Sequence, residues 1–309
     1  MNNLSDGVQF IGLFISFPIS KRNRRTDILR QLLDLEDHLL FQSIRYRKFL
    51  DKVSMERFDE GLLRKVIDSI AAGNVDSLEL LSYWKNEDWI RSYETSVSLD
   101  WTSSFIDKPT DPPPALADKP VRNSGTIMIT YPESRFLRGA ESSFQARLMS
   151  LLKYLSANEE MNWIFVNQGF RPIRPGSIGT DDVFVKTRTG FPLTSLEPDL
   201  FAGRSLFYDY VKGGFWANFL NSNHVERLGG MARIRSEKPT SVVEDLGQGR
   251  VLLQVGPSPL VTDRTKVIPE YQKLRAFLKP ILIETPQEWL NLRDKIFSST
   301  SPRDRNEPQ

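Results

Sequence analysis

Val8-Gln9-Phe10-Ile11-Gly12-Leu13-Phe14-Ile15-Ser16-Phe17, halted by Pro18, is the stretch on which the fold class turns. A run rich in β-branched and aromatic residues and closed by a proline predicts a buried strand. Behind it, Thr26 and Asp27 are cap-type residues. Ile28, Leu29, Leu32, Leu33, Leu35, Leu39 and Leu40 recur near helical spacing among charges, so a helix is expected to follow. The same order returns further on: Gly125 to Tyr131 (GTIMITY) ends at Pro132, and Phe144, Leu148, Leu151, Leu152 and Leu155 mark an amphipathic helix. Strand then helix, met twice, predicts an α+β fold: a mixed or antiparallel sheet flanked by helices, built as two related α/β halves. Between them lies Asp107 to Pro120 (DKPTDPPPALADKP), whose five prolines fit neither a helix nor a central strand. The expected division is an N-terminal half over 1–106 with a helical insertion, a connector over 107–120, a C-terminal half over 121–297 and a tail over 298–309, with one compact domain overall as the alternative.

The remaining elements follow from the same signals. Met55, Phe58, Leu62, Leu63, Val66, Ile67 and Ile70 predict a second helix ended by Gly73, and Val75 to Lys85 a third, capped by Asn74. Thr95 to Phe105 alternates polar and apolar residues and predicts a strand with one wet face. Trp163 to Val166 predicts a short strand; Gly169 to Gly190 reads as loop around a strand at Val183 to Lys186. Phe215 to Leu220 and His224 to Leu228 read as helical, with Gly229-Gly230 as a stop. Val242 to Leu246 and Val251 to Val255 flank Gly247-Gln248-Gly249, a hairpin signal. Tyr271 to Leu278 predicts a helix broken by Pro280, and Ile281 to Ile283 a last strand.

Composition narrows the function. In 309 residues, 41 Lys and Arg nearly balance 39 Asp and Glu, leaving a net charge of +2, so no strong field draws the chain to nucleic acid or anionic lipid. Four cations in five residues at Lys21 to Arg25 read as a solvated approach to a helix. The absence of cysteine excludes disulfides, thiolate nucleophiles and Cys-containing metal sites, and suits a reducing compartment. The apolar run near the N-terminus lacks a preceding basic region and reads as strand, not signal peptide. No stretch approaches the ~18 apolar residues of a membrane helix. A cytoplasmic chain with no membrane contact is expected.

Catalytic motifs are sparse. His38 and His224 are the two histidines, each distant from a second His at ligand spacing. There is no G-x-S-x-G elbow, no G-K-[ST] loop and no G-x-G-x-x-G after a strand. No cofactor is expected. The alternative with chemical content is a metal-dependent nuclease: Pro198-Asp199 followed by Asp209-Tyr210-Val211-Lys212 approximates an arrangement in which two carboxylates hold Mg²⁺ and a lysine offsets charge on phosphate. The spacing departs from it by one residue, since on a strand Asp209 and Lys212 would point to opposite faces. Surface charge is the simpler reading.

The C-terminal third carries a resemblance. Phe215-Trp216-Ala217-Asn218-Phe219-Leu220, Leu228-Gly229-Gly230, Leu252-Leu253-Gln254-Val255-Gly256-Pro257-Ser258-Pro259, then Asp263, Tyr271 and Leu278-Lys279-Pro280 resemble the C-terminal signature of bacterial type VI secretion immunity proteins, and within them a member that partners a restriction-endonuclease-like nuclease toxin. The resemblance implies a non-catalytic protein that binds and neutralises a cognate toxin through protein–protein contact, without touching nucleic acid itself. A structural or scaffold component of a secretion system is the second alternative. Independently of the resemblance, two segments combine apolar anchors or loop carboxylates in the manner of an interface: Trp84, Glu87, Asp88 and Trp89, and the loop around Asp181 and Asp182. Their carboxylates would complement the basic substrate channel of a nuclease toxin.

Overall fold

A computed structural model describes residues 7–18, 22–35, 41–48, 53–81, 96–100, 124–132, 136, 144–172, 207–260, 268–283, 288 and 291–292. In chain order the elements are β1 (Gly7–Pro18), α1 (Arg22–Leu33), β2 (Ser43–Lys48), β3 (Val53–Arg57), α2 (Glu60–Ala71), β4 (Val75–Leu81), β5 (Ser96–Asp100), β6 (Ser124–Pro132) and α3 (Phe144–Asn158). They continue with β7 (Trp163–Pro172), β8 (Ala217–Leu220), α4 (Ser222–Arg227), α5 (Gly230–Glu237), β9 (Val242–Gly247), β10 (Arg250–Gln254) and α6 (Pro269–Leu278). The strands form one sheet in the order β3-β2-β4-β5-β6-β1-β7-β8-β10-β9. A seven-stranded run up to β7 and the three-stranded run β8-β10-β9 meet through Trp163–Val166 on β7 and Ala217–Leu220 on β8. Every ladder between named strands is antiparallel. The α+β expectation holds, in its antiparallel form.

Alternating strand direction makes β3 parallel to β4 with β2 between them, β6 parallel to β7 around β1, and β8 parallel to β9 around β10. Each parallel pair is joined by helix: α2, α3 and α4–α5 respectively. These are split β-α-β units. Because β8 runs opposite to β3 and β6 yet steps the same way along the sheet, crossovers of one hand must place α4–α5 on the face opposite α2 and α3. Two ion pairs on adjacent residues of β9 show this. Glu244 meets Lys153 of α3 at 2.6 Å, and Asp245 meets Arg235 of α5 at 2.7 Å. Successive strand residues point to opposite faces, so β9 lies between the two helices.

Both faces of the central strands are therefore covered, and Ile11 to Phe17 are buried without interruption. One face presents Ile11, Leu13 and Ile15, continued by register into Ile127, Ile129, Ile164, Phe219 and Leu252. The other is aromatic. Phe14 packs on Phe165 at 5.1 Å, on Phe207 at 5.4 Å and on Trp163 at 5.9 Å between ring centroids, and Phe215 stacks on Phe165 at 4.0 Å.

Several expectations need correction. Val75–Leu81 is strand, not helix: Leu78 and Leu80 are buried while Ser77 and Glu79, at the alternate positions, are half-buried, and the segment pairs with β2 and β5. Leu78 and Leu81 also satisfy a helical spacing, and available strand partners decided the matter. Ala217–Leu220 is likewise strand rather than helix, buried on both faces between β7 and β10, so its four residues carry no alternation. Met55 belongs to β3, and α2 begins after Asp59, whose carboxylate accepts from Leu62 N at 2.7 Å. Thr26 and Asp27 lie inside α1 rather than at its start. Leu282 makes an isolated bridge to Val211 in place of a strand. The connector 107–120, the segment 183–186 and the tail 298–309 lie outside the described residues.

Candidate functional site

The C-terminal motifs converge on one buried polar network at the end of β8. Asn221 leaves the strand in extended conformation and caps α4, its Oδ1 accepting from His224 N at 2.8 Å while His224 Nδ1 accepts from Asn221 N at 3.4 Å. This is a capping box with histidine in the place usually held by Glu or Gln. The Asn221 amide also donates to Asn162 O at 2.8 Å and Tyr208 O at 3.0 Å, tying the start of β7 to the 207–210 turn. Asn223 donates to Tyr208 O at 3.1 Å and to Asp209 Oδ1 at 3.0 Å. Arg227 donates to Asp209 O and lies over the Tyr210 ring, 4.2 Å from its centroid.

Further asparagines fix the approach to β8. Asn218 is fully buried and closes a small ring with Phe215, donating to its carbonyl at 2.8 Å; Asn167 Oδ1 accepts from Trp216 N at 3.3 Å. These amides satisfy backbone groups that strand pairing leaves over, as burial requires. Val211 completes the closure, donating to Ile281 O at 2.8 Å and accepting from Ile283 N at 2.9 Å.

His224 is fully buried, and its pKa is lowered to about 3, first by desolvation and then by the nearby Arg227 guanidinium, against the opposing carbonyls of Tyr210 and Phe207. At neutral pH the ring is uncharged and its Nδ1 is engaged in the cap, a structural role. Asp209, a carboxylate of the nuclease alternative, sits in a turn over 207–209 rather than on a strand and is held by Asn223. Lys212 is half-buried, and Asp199 lies outside the described residues. Among the described residues no group of three or more His, Asp and Glu side chains is placed to hold a metal ion.

The interface candidates Trp84, Glu87, Asp88, Trp89, Asp181 and Asp182 all lie outside the described residues. Sequence reading missed the Asn221–His224–Arg227 network. Its one signal was an Asn three residues before His224 at the start of a helical run, a cap pattern with an unusual third member.

Residues 187–300 match the TsiV family, described as type VI immunity for VRR-NUC. The C-terminal region is thus similar to a type VI immunity family. The Ala217–Leu220 strand, the Gly229-Gly230 turn, the Leu252–Pro259 segment and the Asn221, His224 and Arg227 side chains fall inside the matched TsiV region, while their partner Asn162 precedes it, so the recognition from motifs holds. The fold resembles that of the Pseudomonas aeruginosa T6SS protein PA0821, with a TM-score of 0.64 over 91% of this chain and 75% of that chain, at 13% identity. At such identity the likeness speaks for the fold. No curated protein matches the chain in sequence. Among the described residues no helix is long and apolar enough to cross a membrane.

Proposed function

We propose that this protein binds a cognate type VI secretion toxin of the VRR-NUC nuclease class and neutralises it by protein–protein contact, in the cytoplasm and without catalysing a reaction. The observation that carries the reading is the TsiV match over residues 187–300, whose description names both immunity and the nuclease class. The geometry agrees with it: the Asn221 cap, the Asn218 turn and the neutral His224 are committed to holding backbone, and the sheet they hold can present contacts from its loops.

The contacts we propose are Trp84 and Trp89 as apolar anchors, with Glu87, Asp88, Asp181 and Asp182 facing the basic substrate channel of the toxin. Complementary charge would speed encounter, and the tryptophans would slow release. The test is titration of purified protein into the nuclease domain of the toxin encoded beside it, with DNA cleavage as readout. Stoichiometric inhibition is expected. Failure to bind or inhibit, together with Mg²⁺-dependent cutting by the purified protein that Asp199→Ala and Asp209→Ala abolish, would establish the nuclease alternative instead.

A further inference from the structure

Among the described residues, two other than glycine stand on backbone with positive φ: Lys238 at 42° and Gln248 at 53°. Such backbone is uncommon for residues other than Gly, Asn and Asp. Lys238 has a reason within the fold. It ends α5, where a left-handed residue closes the helix and a cation suits the last carbonyls. Gln248 has no such reason. It opens the two-residue turn Gln248-Gly249 between β9 and β10, in which Gly249 also has positive φ, at 73°. Hairpin turns with both φ positive favour Asn-Gly, Asp-Gly or Gly-Gly. Asparagine would suit this backbone better than glutamine, and it would restrict the unfolded chain in place of a third glycine as well.

The Gln248 side chain gives nothing back to the fold, since it is exposed and has no hydrogen-bond partner among the described residues. The turn beneath it is nevertheless held from both sides of the sheet. Arg250 donates to Ser156 O at 2.5 Å and to Glu159 O at 2.8 Å, at the end of α3. Gly249 lies so close to α4 that a Cβ there would stand 3.3 Å from Ser222 Cβ, and Gly247 N donates to Asp245 Oδ1 at 2.9 Å. The amide is thus presented outward from a fixed tip, which lowers the ordering cost of binding. A side chain kept on unfavourable backbone without an internal use points to a use outside the molecule.

We propose that Gln248 is a toxin contact: the β9–β10 tip enters a concave polar surface of the nuclease, and the Gln248 amide bonds there. A convex tip ending in two donor hydrogens and one acceptor oxygen fits exposed backbone N–H and C=O groups lining such a surface. The proposal rests on the immunity reading and adds to it a contact inside the matched residues 187–300.

The full chain carrying Gln248→Asn or Gln248→Gly, titrated into the nuclease domain of the toxin encoded beside it, tests this. Asparagine keeps the amide but shortens its reach by one methylene, and glycine removes it. Both variants are expected to unfold at the same urea concentration as wild type or a higher one. Both are expected to raise the dissociation constant about tenfold, as loss of an interfacial hydrogen bond does. Variants that bind as tightly as wild type overturn the proposal and leave the immunity reading standing. Variants that unfold earlier overturn it as well, by showing that Gln248 serves the fold. A wild-type chain that does not bind the nuclease removes the immunity reading, and this contact with it.

Discussion

Asn221 shows how much one polar side chain can hold. Its carbonyl oxygen caps α4, and its amide serves two backbone carbonyls from different parts of the chain. Asn221→Ala leaves one N–H and two carbonyls without this partner and is expected to lower stability by about 2–4 kcal/mol in chemical denaturation. Asn221→Asp keeps the cap acceptor but turns a carboxylate oxygen toward Asn162 O and Tyr208 O, so it too is expected to destabilise; an Asp variant as stable as wild type would show that the cap alone matters. His224 makes stability depend on pH. Its pKa falls from 6.5 to about 3 on folding, so the unfolded chain binds the proton more tightly. This contribution is complete above about pH 6.5 and is lost as pH falls toward 3, at up to about 1.4 kcal/mol per pH unit. His224→Asn, which retains an acceptor near Nδ1, is expected to flatten that slope in urea unfolding at pH 7, 6, 5 and 4.

At the scale of elements, the turn between α4 and α5 depends on two glycines in left-handed conformation. Gly229 has φ 91° and Gly230 φ 84°. A Cβ at Gly229 would also meet Arg233 Cδ at 2.8 Å, whereas at Gly230 nothing lies within 4 Å. Arg233 donates to Leu228 O at 3.1 Å, so displacing it loosens the end of α4. Both alanine substitutions are expected to cost about 1 kcal/mol for the backbone, with Gly229→Ala the worse of the two when thermal midpoints are compared. The hairpin beyond follows the same logic, since Gly247, Gln248 and Gly249 all have positive φ. Gln248→Gly removes the one non-glycine from that run and is expected to be neutral or to stabilise by up to about 1 kcal/mol.

For the whole molecule, a sheet covered on both central faces is a stiff frame. Phe165, buried between Phe14 and Phe215, is part of its aromatic layer, and Phe165→Ala is expected to cost about 3–5 kcal/mol and to be read as early melting. The proposed toxin contacts should behave in the opposite way. Trp84→Ala, Trp89→Ala and the Asp181→Lys, Asp182→Lys pair are expected to weaken inhibition, by about 2 kcal/mol for an anchor tryptophan, with melting unchanged. Variants that melt early and inhibit normally once folded would assign these residues to the core instead.

Strands and helices with strong periodicity were legible in the chain alone: β1 and β6 from apolar runs closed by Pro18 and Pro132, α3 and α6 from helical spacing, and the β9–β10 hairpin from its glycine-rich turn. The immunity family was legible too, because its motifs are local strings. What local pattern leaves open is the state of short apolar segments. Leu78 to Leu81 and Ala217 to Leu220 suit either helix or strand until neighbouring strands offer hydrogen bonds, and a strand buried on both faces shows no alternation to betray it. The network around Asn221 depended on tertiary structure most of all. Its partners Asn162, Tyr208 and Asp209 lie 59, 13 and up to 18 residues from the side chains that bind them, and a buried amide acquires its role only where folding delivers backbone carbonyls that have no water to bond.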